Sequence, residues 1–335
     1  LLTPQLNAAV VRTPRLGVLG WHRNTLVLGI ELLMVLSPSE AKAVLAHELG
    51  HLSGRHNRFS AWIYSVRAMW SVLMETYDRQ SGFAAGWLRR FLDWYAPRFN
   101  AYSFALARQN EYEADHLSAA FTSADDAVRA LVNVHVTGPF IDEHFWREFY
   151  RQADHSESPV VMPYSGLQAF LHAHPLSQEE QQLRLANVLE VDTSYDDTHP
   201  CLRERVQALQ KVPAPVMPAV TSAAARWLGE RVSQVVEALD QLWWHNASTE
   251  WHERFRYASE GRQALLVLEA RNIDSLSDEE LWQLAEWSEE FREVDPLPNF
   301  QQCWARQPDN AMFAYAVGRL LAQRNDPACL PALEV

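Results

Sequence analysis

Residues 44–56 read VLAHELGHLSGRH, setting three histidines and a glutamate into an otherwise apolar helix-forming segment. Buried imidazoles and carboxylates cost free energy unless something pairs with them, so a chain that folds this segment into its core must supply a partner. The start of the helix is written in the residues before it. Ser37-Pro38-Ser39-Glu40 offers a side-chain cap, a proline at the first helical position and a glutamate three residues after the cap, the pattern of a capping box. The spacing predicts a helix over residues 38–55. Residues four apart share a helix face, which directs His47 and His51 at a common point.

A metal ion supplies the missing partner. Two such imidazoles can reach one ion at about 2.0–2.1 Å, and zinc suits the donors. Glu48 is angled past that ion, where it can take a proton from a water as a general base. His56, five residues past His51, is turned away by roughly 140°. HELGH arises by chance in roughly a few per cent of chains with this histidine content, so a third ligand carries weight. A catalytic zinc takes three protein ligands and keeps one position open. The segment FNAYSFALARQNEYEADHLSAAF, residues 99–121, predicts a second long helix with Glu111 and Asp115 on one face. That acidic run also reads as a solvated stripe, and Glu113 lies within it. His116 faces another side, and His172 and His174 in LHAHP, spaced as in a strand, read as a surface loop without a third ligand.

The chain's net charge of −13 argues against nucleic acid or an anionic membrane surface as the main partner. Cys201, Cys303 and Cys329 are far apart, which disfavours both a disulfide framework and a cysteine zinc site. The first residues, LLTPQLNAAV, lack the charged start and cleavage site of a signal peptide. No uninterrupted apolar run reaches the roughly 18 residues of a transmembrane helix.

Residues 8–35 read as two or three short strands, and 59–96 as helical and aromatic, with Trp62, Trp70, Trp87 and Trp94. Helices follow over 124–152 and 177–190, then LRERVQAL after Thr198-His199-Pro200. The stretch VPAPVMPAV, residues 212–220, holds three prolines and marks a domain boundary. Beyond it the chain reads as helix pairs resembling a tetratricopeptide-like repeat without a clean period.

HELGH, preceded by NTLVLGIELL and followed by ARQNEYEAD and THPCLRERVQAL, resembles the HtpX-like and CAAX-prenyl-protease-type zinc metallopeptidases over about residues 5–210. That family's pattern is an upstream Asn-Ala, then HExxH, SRxxExxxD, and a His-Pro before a short helix ending in Arg and Leu. The resemblance implies one zinc per chain on His47, His51 and Glu111, with Glu48 as catalytic base. It implies that Asp115 orients a ligand histidine, that Arg108 fixes a carboxylate of the same shell, and that Asn7 lies beside the substrate strand. His199 matches the His-Pro histidine and would donate to the oxyanion on the scissile carbonyl. Ala107 stands where the family has serine, a departure that touches packing more than chemistry.

The fold implied is α+β and predominantly α-helical. A gluzincin-type metallopeptidase domain over 1–212, with a small β-sheet beside the active-site helix, would precede a Pro-rich linker at 213–220 and an all-α repeat-like domain over 221–335. The expected activity is zinc-dependent endopeptidase cleavage of proteins or peptides bound along an edge strand. Family members usually work at a membrane, often in quality control of damaged proteins. Here attachment would come through segments outside these residues, with the soluble domain on the cytoplasmic side. Two rivals are a non-catalytic chaperone or binding module with structural zinc, and a protease for prenylated peptides. A structural zinc normally has four ligands, mostly cysteine, and no cysteine lies near HELGH in sequence.

Overall fold

The computed structural model describes residues 1–14, 22–53, 83–194, 197, 199–292 and 294–333. The chain forms two compact units, residues 1–148 with 161–243 and residues 149–160 with 244–335. The proline-rich stretch 212–220 therefore lies inside the first unit, where Val216 packs against the core.

The first unit opens with three strands, β1 (Leu2–Thr3), β2 (Ala8–Pro14) and β3 (His22–Gly29), in the order β1-β3-β2. β1 runs parallel and β2 antiparallel to β3, with Ala8 opposite Leu28. Among the described residues β2 is thus an edge strand, its outer backbone groups free to pair with an extended peptide. Gly29 is required by close approach. A Cβ there would sit 1.5 Å from the Gln5 carbonyl oxygen, and the Gly29 N–H donates to the Asn7 carbonyl at 2.7 Å.

Residues 30–35, read above as part of the strand-rich stretch, form helix α1 (Ile30–Val35). Its Leu and Met content favours that conformation once β3 ends at Gly29. Glu31 is buried in the first turn of α1. Burial, reinforced by the Asp142 carboxylate and opposed by the Trp146 indole donating to it, raises its pKa from 4.5 to about 7. Because the folded state holds this proton more tightly than the unfolded chain, stability falls as pH rises from 4.5 through 7, by about 3 kcal/mol in all. Glu31→Gln is expected to change little at pH 4.5 and to stabilise the protein by about 2–3 kcal/mol at pH 8. Urea unfolding at the two pH values checks this, and a gain independent of pH would refute it.

Helix α2 (Pro38–Ser53) begins as its cap residues require. The Ser37 N–H donates to Glu40 Oε2 at 2.8 Å, and the Glu40 N–H donates to Ser37 Oγ at 3.3 Å. The expected end of this helix, at 55, lies outside the described residues. So does the aromatic stretch up to residue 82. Helix α3 (Phe83–Phe121) starts well before the expected residue 99 and runs through Pro97.

Helices α2 and α3 pack against each other. A Cβ on Gly50 would lie 3.2 Å from the Ala114 Cα, so the helices approach closely there. Ser118 Oγ donates to the Ala43 carbonyl at 2.7 Å, about one turn on along α3 and two turns back along α2. As positions on α2 rise from 43 to 50, their partners on α3 fall from 118 to 114, so the two helices are antiparallel.

The helix expected over 124–152 is α4 (Ala124–Ile141), a π-helical turn over Asp142–Trp146 and α5 (Arg147–Arg151). Next come α6 (Pro163–Ala173), α7 (Gln178–Glu190), α8 (Leu202–Ala208) and α9 (Ala223–Leu228). His172 is in the last turn of α6 and His174 is its C-cap, with Nδ1 3.3 Å from the Phe170 carbonyl oxygen. These two histidines therefore close a helix rather than occupy a strand-like loop. A shared core of Ala43, Val128, Val132, Val136, Leu202 and Val206 joins α2, α4 and α8.

Helix α10 (Val232–Glu269) contributes its first turns to the first unit and the remainder to the second. The second unit continues through α11 (Asp278–Phe291), α12 (Leu297–Arg306), α13 (Ala311–Gln323) and α14 (Cys329–Leu333). Its core is built on Leu265, Leu281, Ala285, Phe300, Phe313 and Val317. Among the described residues no helix is long and apolar enough to cross a membrane.

Candidate metal centre

The antiparallel α2–α3 contact brings two i, i+4 pairs face to face: His47 and His51 on α2, Glu111 and Asp115 on α3. His47, Glu111 and Asp115 are each less than a tenth exposed. The two histidine Nε2 atoms lie 3.2 Å apart, His47 Nε2 lies 3.5 Å from Glu111 Oε2, and His51 Nε2 lies 3.5 Å from Glu111 Oε1. The rings meet edge to face at 89°. Donors held about 2.0–2.1 Å from one ion at tetrahedral angles are separated by about 3.3 Å, so these spacings fit a single zinc. His47, His51 and Glu111 form the cluster capable of holding a metal among the described residues.

Charge around the cluster is organised by the same contacts. Burial disfavours the Glu111 carboxylate, but hydrogen bonds from His199 and His47 hold its pKa well below the usual carboxylate range. Burial would also lower His47, yet the Asp115 and Glu111 carboxylates raise it to about 9. His51 is pushed down to about 4, chiefly by burial and only partly countered by Glu111. Both histidines must present a neutral Nε2 to a metal, so on His47 the ion competes with a proton.

Asp115 orients His47. Its Oδ1 lies 2.9 Å from His47 Nδ1, and a carboxylate only accepts, so Nδ1 carries a proton and Nε2, once it gives up its own, is the nitrogen left to face the metal. Asp115 is itself gripped by Arg205 of α8, whose Nε and Nη2 donate to the two carboxylate oxygens at 2.8 and 2.6 Å. Burial raises the Asp115 pKa, but Arg205 and His47 outweigh it and keep the carboxylate ionised. Arg205 Nη2 also approaches His47 Nδ1 at 3.3 Å, a contact between two donors that Asp115 bridges.

Arg205 was not among the residues singled out from the sequence. The signal lay in the Arg that ends the short helix after His-Pro, where LRERVQAL offers Arg203 and Arg205 in the same stretch. Arg108, expected in this shell, is elsewhere. Its Nη2 lies 2.8 Å from Glu204 Oε2 and donates to the Tyr112 hydroxyl at 2.8 Å. Arg108 lies on the face of α3 carrying Tyr112, where Glu204 is the nearer carboxylate, while Arg205 reaches Asp115.

His199 sits at the metal cluster, its Nδ1 donating to Glu111 Oε2 at 2.6 Å. A cavity beside the cluster is lined by Glu48, His47, His199, Asn7 and Ala8. Burial raises the Glu48 pKa, with the His47 charge opposing. Asn7 is exposed, just ahead of the edge strand β2, and its backbone is held by Gly29. Glu113 is bound by Gln109 at 2.8 Å on an exposed part of α3. His116 is exposed, and His56 lies outside the described residues. His135, also unremarked in the sequence, lines the same cavity from α4.

No curated protein and no solved structure matches the chain. Residues 17–212, more than half of the chain, match the sequence profile described as peptidase family M48. Zinc dependence in that family agrees with two imidazoles and a carboxylate converging at zinc spacing, and the chain belongs to peptidase family M48, a family of zinc metallopeptidases.

Proposed function

We propose that this metallopeptidase is an endopeptidase that cleaves within protein substrates held in extended form along β2. The observation that carries this reading is that Glu48, Asn7 and the start of β2 line one cavity with His47, a member of the His47–His51–Glu111 cluster. His47, His51 and Glu111 would hold zinc, which when bound supplies Lewis-acid polarisation of the scissile carbonyl and acidifies water. The raised pKa of Glu48 brings its basicity towards neutral pH, where it accepts the proton of the attacking water and returns it to the leaving amine. His199 stands beside Glu111, ready to donate to the developing oxyanion. With Nδ1 already donating to Glu111, its Nε2 donates only when the ring carries both protons. The edge of β2 would pair with substrate main chain, recognising backbone more than side chains.

The helices of the second unit would position protein substrates, as packed helices often present extended surfaces. A role in membrane-linked protein quality control, from the cytoplasmic side, rests on the family resemblance. It draws support from Phe91 and Trp94, which are about half exposed on α3. One experiment tests activity and place together. Casein hydrolysis in fractions of cells expressing the full protein is expected in the membrane fraction, abolished by a zinc chelator and restored by added zinc. Glu111→Gln should abolish it and lower zinc occupancy after dialysis. Chelator-resistant hydrolysis would refute the zinc mechanism, and activity confined to the soluble fraction would refute the membrane role.

A further inference from the structure

The cavity beside Glu48 extends past the ligand cluster to α4 and has a volume of about 270 Å³. That is the room of about nine water molecules, enough for an aromatic side chain. Ala127, Ala130, Leu131 and Val134 from α4 and Ala43 and Val44 from α2 supply apolar wall, and Asp115, Ser118 and Arg205 supply polar lining.

His135 stands in that wall, and its hydrogen bonding determines what it can offer. Its Nδ1 lies 2.8 Å from the Leu131 carbonyl oxygen. A carbonyl only accepts, so Nδ1 carries the ring proton, and Nε2 of the neutral ring is a bare acceptor. Burial lowers the imidazole's pKa, which favours the neutral ring. Among the described residues Nε2 has no protein partner. An occupant that covers this acceptor without donating to it costs free energy.

We propose that His135 is a specificity-determining residue, shaping this cavity to take an aromatic substrate side chain that ends in a hydrogen-bond donor, tyrosine above phenylalanine, beside the scissile bond. The inference rests on the reading of the cavity as the peptidase cleft. Other donors fit less well. Lysine and arginine would meet Arg205 in the same lining, where Asp115 is already held by Arg205, and would tie up Glu48, the proposed base. Serine and threonine are too short to fill it. Phenylalanine fills it but leaves Nε2 unpaired, and rejection of that kind is how a site built for a hydroxyl discriminates.

The test uses the zinc-loaded full chain and paired peptides that differ only in Tyr or Phe at each position flanking the cleaved bond, with products read by mass spectrometry. Wild type is expected to favour Tyr at one flanking position by about tenfold in kcat/KM, the size of one neutral hydrogen bond. His135→Leu should bring that ratio to about one, and His135→Gln, which keeps an acceptor, should restore part of it. Equal cleavage of the Tyr and Phe peptides by wild type overturns the proposal without need of a variant. So does a tyrosine preference that survives in a folded His135→Leu protein with full zinc. Failure of the zinc-loaded wild type to cleave any of the peptides overturns the peptidase reading of the cavity and this assignment with it.

Discussion

Glu48→Gln is expected to reduce peptide turnover by about 10³-fold while zinc stays at one ion per chain. Glutamine keeps the shape of the side chain but cannot accept the proton of an attacking water. The metal ligands are untouched, because Glu48 lines the cavity beside the cluster formed by His47, His51 and Glu111. The change should also relieve the burial that now raises the carboxyl's pKa, so the variant should fold at least as stably as wild type near neutral pH. Turnover of a quenched fluorescent peptide, measured with zinc content by atomic absorption, separates the roles. Undiminished turnover at full zinc would remove Glu48 as the base. Lost turnover with lost zinc would make it a structural element of the metal site.

Arg205→Leu should have the largest effect on folding. It leaves Asp115 ionised and buried without its bidentate partner, a change that costs about 3–5 kcal/mol. Asp115 orients His47, so the protein that does fold should bind zinc about 10–100-fold more weakly. The double variant Arg205→Leu, Asp115→Leu removes both charges and should recover much of the stability, since an apolar pair can replace a buried ion pair. It should not recover zinc affinity, because His47 Nδ1 would still lack its acceptor. Chemical unfolding and competition with a zinc indicator read the two effects separately. A neutral single variant would show that the Arg205–Asp115 pair does not support His47.

Much of this centre was legible before any coordinates. Ser37, Pro38 and Glu40 announced where α2 begins, because capping is a contact between residues three apart and needs no tertiary information. His47 and His51, like Glu111 and Asp115, share a face by helical periodicity alone, and the structure brings the two pairs together. Arg108 shows where such reasoning stops. Its position three residues before Glu111 suggested a role at the ligands, but α8 offered Glu204 nearer to it. The strand-like spacing of His172 and His174 failed for a related reason, since Pro163 starts a helix that carries the chain to His174.

The sequence by itself determined the helical spacing of His47 with His51 and of Glu111 with Asp115, and the start of the helix that carries the two histidines, all of which follow from interactions within a few residues. Only the tertiary structure decided that α3 runs antiparallel to α2 through the close contact of Gly50 with Ala114, which sets Glu111 between the two histidines. It also decided that Arg205, ninety positions beyond Asp115, is the charge that steadies it, and that His135 faces the cavity beside Glu48. Such pairings depend on which helix faces meet, and that is settled by packing the whole core rather than by any local pattern of residues.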